Sequence, residues 1–132
     1  MTIAEVSKQF DISADTLRYY ERIGLIPPVP RTQGGIRDYD EASCKWIELM
    51  KHLRAAGVQI EALVEYTALA QQGDQTQAAR KALLLEQRQQ LEARIAEMQQ
   101  SLERLDKRLE WYDRCEGCTI ERIRQLEQQR KG

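Results

Sequence analysis

Two cysteines late in the chain have the residue type and spacing of a chemical site. Cys115 and Cys118 are separated by two residues in Cys115-Glu116-Gly117-Cys118. Two such thiolates can bind one soft metal ion, as in zinc or copper(I) sites, or can form a thiol–disulfide redox switch. A short motif of this kind also occurs without any chemistry. The sequence leaves the cofactor unknown, and the two alternatives are no cofactor or a soft metal ion at Cys115 and Cys118.

A second group of side chains suits contact with nucleic acid. Within residues 14–37, four arginines meet only Asp15 and Glu21, and Tyr19, Tyr20 and Tyr39 lie in or beside this segment. Arginine can donate two parallel hydrogen bonds to phosphate or guanine, and tyrosine can bond to phosphate. The alternative is that the tyrosines fill the core and the arginines only solubilise the surface.

The composition excludes other classes of protein. The chain has 132 residues, 20 basic against 21 acidic side chains, and a net charge of −1. No stretch is long and apolar enough to span a membrane, and the first ten residues lack the pattern of a secretion signal. Three cysteines are too few for a secreted disulfide scaffold, so we expect a soluble cytoplasmic protein without a membrane partner.

Catalytic residues are scarce. The chain has a single histidine, and it lacks both a glycine-rich phosphate loop and a nucleophile-elbow motif. Features of this kind supply the base, the phosphate cradle or the nucleophile in many active sites. We therefore expect that the protein is not an enzyme.

The N-terminal part predicts a helix-turn-helix unit. Thr2 and Glu5 have the spacing of a capping box, and the apolar residues that follow predict a helix over 2–10. A tight connection leads to a second helix over 14–23, which Gly24 ends. Two short helices joined by a tight turn are typical of DNA-binding heads.

A small wing and two further helices are predicted next. Residues 25–39 read as a β-hairpin with Gly34-Gly35 at its tip, because a glycine pair supplies the positive φ angles of a tight turn. Asp40 caps a third helix that ends at Gly57. A fourth helix begins near Val58.

The rest of the chain predicts one long helix with an apolar seam. From Leu91 the seam residues alternate in steps of four and three, and extending the register backward places Leu84, and also Arg88, on the seam. The apolar seam residues are Leu84, Leu91, Ile95, Met98, Leu102, Leu105, Leu109 and Tyr112. At about 1.5 Å per residue, the seam runs roughly 40 Å and exceeds a small head domain. A second copy of the chain is the natural partner, which predicts a homodimer.

The predicted fold is mainly α. It has a winged helix-turn-helix DNA-binding domain over 1–74, a coiled-coil dimerisation helix over 75–113 and a C-terminal effector or tail segment over 114–132. Ile120, Ile123 and Leu126 have helical spacing, which favours a short docked helix in the tail.

Three strings of residues resemble the MerR family of bacterial transcription regulators. They are Ile3-Ala4-Glu5-Val6-Ser7, the segment Thr16-Leu17-Arg18-Tyr19-Tyr20-Glu21-Arg22-Ile23-Gly24-Leu25, and Arg37-Asp38-Tyr39. The resemblance implies that the second helix enters the DNA major groove and that a wing grips the DNA backbone. The implied DNA contacts are Thr16, Arg18, Tyr19, Tyr20, Arg37, Tyr39, Lys51, His52 and Arg54.

The resemblance also implies a mechanism. A homodimer, held by an antiparallel coiled coil, binds a pseudo-palindromic promoter spacer and distorts the DNA in response to an effector, so that RNA polymerase is affected indirectly. Part of the sequence is similar to the aldehyde- and nitrosative-stress branch of the family. That branch often has a reactive cysteine in the third helix, where this chain has His52.

Three functional alternatives stay open at this stage. The main one is an effector-responsive DNA-binding regulator. The second is a regulator that senses metal or thiol redox state through Cys115 and Cys118. The third, from another class, is a structural coiled-coil adaptor that does not bind DNA.

Overall fold

The computed structural model describes residues 1–114 and 120–131, and in these residues the chain is mainly helical. The helices are α1 (Ile3–Phe10), α2 (Ala14–Arg22), α3 (Glu41–Ala55), α4 (Ile60–Gln72), a short 3-10 helix (Asp74–Thr76), α5 (Gln77–Arg114) and α6 (Ile120–Lys131). The chain divides into two compact units, Met1–Glu92 and Ala93–Gly132. The predicted mainly α fold with a helix-turn-helix head and a long C-terminal helix is confirmed. The predicted domain boundaries stay predictions.

Local signals define the two helices of the helix-turn-helix unit. The Thr2 hydroxyl accepts from the N–H of Glu5, while the Glu5 carboxylate accepts from the N–H of Thr2, so the predicted capping box is present. Ser13 caps α2 in the same way, by accepting from the N–H of Thr16. Asp11, with a φ of 54°, supplies the left-handed turn between the two helices.

The core of the first unit is formed where α1, α2 and α3 meet. Val6, Leu17 and Ile47 come from these three helices, and each is fully buried. Leu25 and Ile26, directly after α2, complete the same cluster. Each helix therefore contributes one apolar face, and its opposite face stays available to solvent or to a partner.

The wing differs from the predicted β-hairpin. Between α2 and α3, Arg31 and Arg37 form a single antiparallel bridge, and the described segment contains no extended strand pair. The prolines at 27, 28 and 30 explain the difference, because proline has no N–H to donate to a strand ladder. The turn is closed by the N–H of Gly35, which donates to the Thr32 carbonyl over 2.9 Å, and only the second glycine of the pair has a positive φ.

Helix α4 holds the segment after α2 through one buried hydroxyl. Thr67 is fully buried, and its Oγ1 lies 2.8 Å from the Leu25 carbonyl and 3.0 Å from the Leu63 carbonyl. The contact with Leu25 spans 42 positions of sequence. It fixes the chain at the point where it leaves α2, and thus helps to set the direction of that helix.

The second unit contains the end of α5 and helix α6. Within α6, Ile123 and Leu126 are half-buried, whereas Ile120 is 73% exposed. The guanidinium of Arg108 on α5 donates to Glu127 on α6 over 2.9 Å. The predicted tail helix is therefore present. No helix in the described part of the chain is long and apolar enough to cross a membrane.

Replacing Thr67 by valine tests the buried hydroxyl. Thr67→Val keeps the shape of the side chain but leaves the Leu25 carbonyl without its donor, which should lower the free energy of unfolding by about 1–3 kcal/mol. Chemical denaturation measures the change. Thr67→Ser retains the hydroxyl and should be less destabilising than Thr67→Val. A Val variant as stable as the wild type would contradict this role for the hydroxyl.

Candidate nucleic-acid interface

One face of α2 carries the polar side chains of the candidate interface. Arg18 and Tyr19 each lie three or four positions from Asp15 and from Arg22, so the four residues share one side of the helix. All four are exposed. Leu17 points the other way and is fully buried in the core. The fold therefore presents this polar face outward while the opposite face anchors the helix.

Arg18 is held only weakly. Its guanidinium lies 3.0 Å from the Asp15 carboxylate, and the two side chains are 48% and 96% exposed. An exposed ion pair of this kind contributes little to stability, because water and salt screen it. Arg18 can exchange Asp15 for a phosphate or a base edge at small cost.

The two neighbouring tyrosines lie in different environments. Tyr19 is 41% exposed, and the guanidinium carbon of Arg22 lies 5.3 Å from the centre of its ring. This cation–π contact keeps a flat, positively charged pair on the outer face. Tyr20 is half-buried and packs against the core. Tyr19 is thus placed for contact with a partner, whereas most of Tyr20 serves packing.

Glu21 joins α2 to the wing. One carboxylate oxygen accepts from the Arg37 Nε–H over 2.6 Å, and the other accepts from the backbone N–H of Val29 over 2.8 Å. The Glu21 and Arg37 side chains are only 13% and 25% exposed. Burial raises the pKa of Glu21, but the hydrogen bonds from Arg37 and Val29 outweigh it and hold the pKa below its ordinary value.

This pairing refines the role predicted for Arg37. The Nε–H is used by Glu21, so the side chain enters the interface already oriented. The terminal nitrogens of the guanidinium are the donors that stay available for a phosphate. Sequence reasoning missed Glu21, although it is one of only two acidic residues among four arginines. This excess of arginine over acidic residues was the signal in the sequence that could have indicated an ion pair at Glu21.

Tyr39 is not on the surface of the wing. It is 1% exposed and belongs to the core, and its hydroxyl has no hydrogen-bond partner among the described residues. Burial raises its pKa. The prediction that Tyr39 grips the DNA backbone is therefore corrected, because a side chain enclosed by the core cannot touch DNA in this conformation.

The three predicted residues of α3 have different surroundings. Lys51 donates through Nζ to the carbonyl of Phe10 at the end of α1, and it is half-buried. Arg54 is exposed and donates to the carbonyl of Val58 in the turn after α3. His52 is exposed, with Nδ1 2.8 Å from the Glu48 carbonyl. Lys51 and Arg54 thus stabilise local backbone, and any contact they make with DNA stays a prediction.

The remaining predicted residues are accounted for as follows. Thr16 is half-buried at the start of α2, and its hydroxyl accepts from Ser13 over 2.8 Å. Cys115 and Cys118 lie outside the described residues, so metal binding or redox sensing by this pair stays a prediction. Within the described part of the chain, no group of three potential metal ligands occurs. Burial raises the pKa of the free thiol of Cys44, which makes its reactive thiolate form less accessible.

Comparisons with known proteins agree with this geometry. The HTH-type transcriptional regulator AdhR of Bacillus subtilis (strain 168) is 60% identical over 91 residues, which are 69% of this chain and 65% of that protein. The chain therefore aligns with slightly less than two thirds of this relative.

Two solved structures share the fold. A putative MerR family transcriptional regulator from Listeria monocytogenes superposes with a TM-score of 0.84 at 43% identity, over 98% of this chain and 94% of that one. HiNmlR, described as a MerR family regulator that lacks the sensor domain and is bound to promoter DNA, has a TM-score of 0.77 at 29% identity. That match covers 86% of this chain and 90% of the HiNmlR chain.

Two family models cover most of the sequence. Residues 2–39 match the model described as "MerR family regulatory protein", and residues 45–108 match the model described as "MerR, DNA binding". The first contains the helix-turn-helix and the wing, and the second contains α3, α4 and most of α5. From these matches and its relatives, the chain belongs to the MerR family.

Proposed function

We propose that the protein is a DNA-binding transcription regulator that binds a pseudo-palindromic promoter spacer as a homodimer and acts by distorting the DNA. The observation that carries the proposal is the exposed face of α2, with Arg18, Tyr19 and Arg22 in a row and Arg37 tied to the same helix by Glu21. Such a face can enter a major groove while the wing arginine meets a phosphate. The similar HiNmlR is described as bound to promoter DNA, which supports DNA as the partner of this face.

The apolar seam of α5 supports the homodimer. In the single chain, Met98, Leu105 and Leu109 are 70%, 63% and 62% exposed, and Ile95 and Leu102 are at least half exposed. A continuous apolar stripe of this length is unfavourable in water, and an identical stripe on a second copy would cover it. An antiparallel pairing would place the two recognition helices about one turn of DNA, roughly 34–36 Å, apart.

The proposal assigns RNA polymerase an indirect role. Distortion of the spacer changes how the two promoter elements face the polymerase, so regulation works through DNA deformability. A promoter target fits the cytoplasmic location expected from the sequence, and the proposal requires no catalytic step.

Loss of two interface arginines tests DNA binding. The double variant Arg18→Ala/Arg37→Ala should bind at least about tenfold more weakly to a duplex that the wild type enriches from a random pool. The dependence of affinity on salt concentration should also flatten, because fewer phosphates are neutralised. Fluorescence anisotropy at several salt concentrations measures both effects. Lys81→Ala/Arg124→Ala removes the same charge from exposed positions outside the interface and is the control. Equal affinities for the two double variants would contradict the proposal.

The variant Glu21→Gln distinguishes two roles of Glu21: orienting Arg37, or only repelling DNA by its negative charge. If Glu21 only repelled DNA, its removal would strengthen binding to a polyanion. Because it orients Arg37, we expect weaker binding to the enriched duplex and a smaller preference over random duplex. The test is a competition assay between the two duplexes, and stronger, equally selective binding would contradict the positioning role.

The same variant has a defined pH signature in stability. The pKa of Glu21 lies below its ordinary value of 4.5, so its charge stabilises the fold above that pH and stops doing so as the pH falls through the lower folded-state pKa. Glu21→Gln should therefore be less stable than wild type at neutral pH, by roughly 1–2 kcal/mol. The difference should shrink below pH 4.5, as measured by denaturation at each pH.

A charge placed on the seam tests the dimer. Leu105→Glu puts a carboxylate on the apolar stripe and should convert the homodimer to a monomer in analytical ultracentrifugation. Gln100→Glu adds the same charge to an exposed position on the opposite side of α5 and should leave the dimer intact. A monomeric wild type, or a dimeric Leu105→Glu variant, would argue against the seam as the interface.

A further inference from the structure

A cleft lies between the end of α5 and helix α6 in the second unit. Its volume is about 610 Å³, which is within the range of small-molecule sites. The apolar part of its lining is formed by Trp111 of α5 with Ile123 and Leu126 of α6. Ile123 and Leu126 are half-buried. The cleft thus offers a flat aromatic ring and two branched aliphatic side chains to an occupant.

The rest of the lining is strongly basic. Its cations are Arg104, Lys107, Arg108, Arg114 and Arg130. Only two carboxylates, Glu110 and Glu127, lie among them, so the lining carries a net charge of +3. The whole chain carries −1. The excess of positive charge is therefore local to the cleft, since the chain as a whole carries no such excess.

Two of the cations already have acidic partners. Arg108 bonds to Glu127 over 2.9 Å and lies 5.7 Å from the centre of the Trp111 ring, so it bridges α5 and α6. Arg114 lies 3.5 Å from Glu110. Among the described residues, no ion pair joins Arg104, Lys107 or Arg130 to a carboxylate. These three are the charges that a ligand can neutralise.

The cleft is separate from the apolar seam. None of the seam residues lines it. With about 3.6 residues per turn, the cleft residues of α5 lie on average roughly 160° around the helix from Leu102, Leu105, Leu109 and Tyr112. Pairing of the seam with a second copy would leave the cleft residues on the other side of the helix.

We propose that this cleft binds a small amphipathic organic anion, with its carboxylate or phosphate against Arg104, Lys107 and Arg130 and its apolar body against Trp111, Ile123 and Leu126. Guanidinium groups match the geometry of such anions, and the adjoining apolar surface selects against simple inorganic ions. This site is distinct from the α2 interface, and its test does not depend on DNA binding.

Titration with para-tert-butylbenzoate tests the proposal, and para-tert-butylbenzamide is the uncharged counterpart. The full chain carrying Trp46→Phe retains Trp111 as its only tryptophan, so its fluorescence reports directly on the cleft. We expect saturable binding of the benzoate in both fluorescence and calorimetry, and at least about tenfold weaker binding of the benzamide. Absence of binding, or equal affinity for the two compounds, would overturn the proposal.

Two double variants of the Trp46→Phe chain test where the anion binds. Arg104→Gln/Arg130→Gln should weaken benzoate binding about tenfold or more, because two charged donors are lost. Lys81→Gln/Arg124→Gln removes equal charge outside the cleft and should leave it unchanged. Equal loss in both variants would overturn the assignment. The assignment would also be overturned if Arg104→Gln/Arg130→Gln lost duplex DNA binding and kept its benzoate affinity, since the cleft would then belong to a nucleic-acid surface.

Discussion

The proposed DNA-binding surface depends on the hydrogen bonds that the carboxylate of Glu21 accepts. This carboxylate accepts from the Arg37 side chain and from the Val29 backbone, so a single group fixes a helix, a turn and a wing relative to one another. Burial disfavours its charge, but two donors compensate, and the group stays ionised at neutral pH. Glu21 therefore orients Arg37 while its terminal nitrogens stay available, and the exposed α2 arginines, Arg18 with its weak partner Asp15 and Arg22, supply further positive charge.

The prolines of the wing explain why the Glu21 side chain is needed to hold it in position. A hairpin normally holds its shape through a ladder of backbone hydrogen bonds, and the three prolines remove donors from one of its two arms. The wing keeps only a short piece of this ladder: two backbone bonds beside the Arg31–Arg37 bridge, from Thr32 to Ile36 and from Asp38 to Pro30. A bond from Arg31 to the Gly35 carbonyl and the Glu21 carboxylate add to it. The Glu21–Arg37 bond couples the position of the wing to that of the recognition helix.

The sequence predicts those features that local interactions determine. The capping box at Thr2 and Glu5, the end of α2 near Gly24 and the stripe of α5 depend on spacings of a few residues, and the helices form where those signals indicate. The environments of Tyr39 and Lys51 could not be read in this way, because each depends on contacts with distant elements. The partner of Glu21 is sixteen positions away, and no local pattern identifies it. The position of α6 against α5 depends on packing in the same way, and so does the basic cleft between them.

Net charge gives little information about partners in this chain, because charge acts locally. At physiological ionic strength an exposed charge is screened over about 8 Å, so a ligand responds only to the residues around it. The +3 cleft and the basic face of α2 are offset in the total by acidic residues elsewhere, such as the three in residues 58–74. Helix α5 shows the consequence within a single element. Its apolar seam suits an identical seam, since apolar contact requires no complementary charge, whereas the charged face beside α6 requires a ligand of opposite sign.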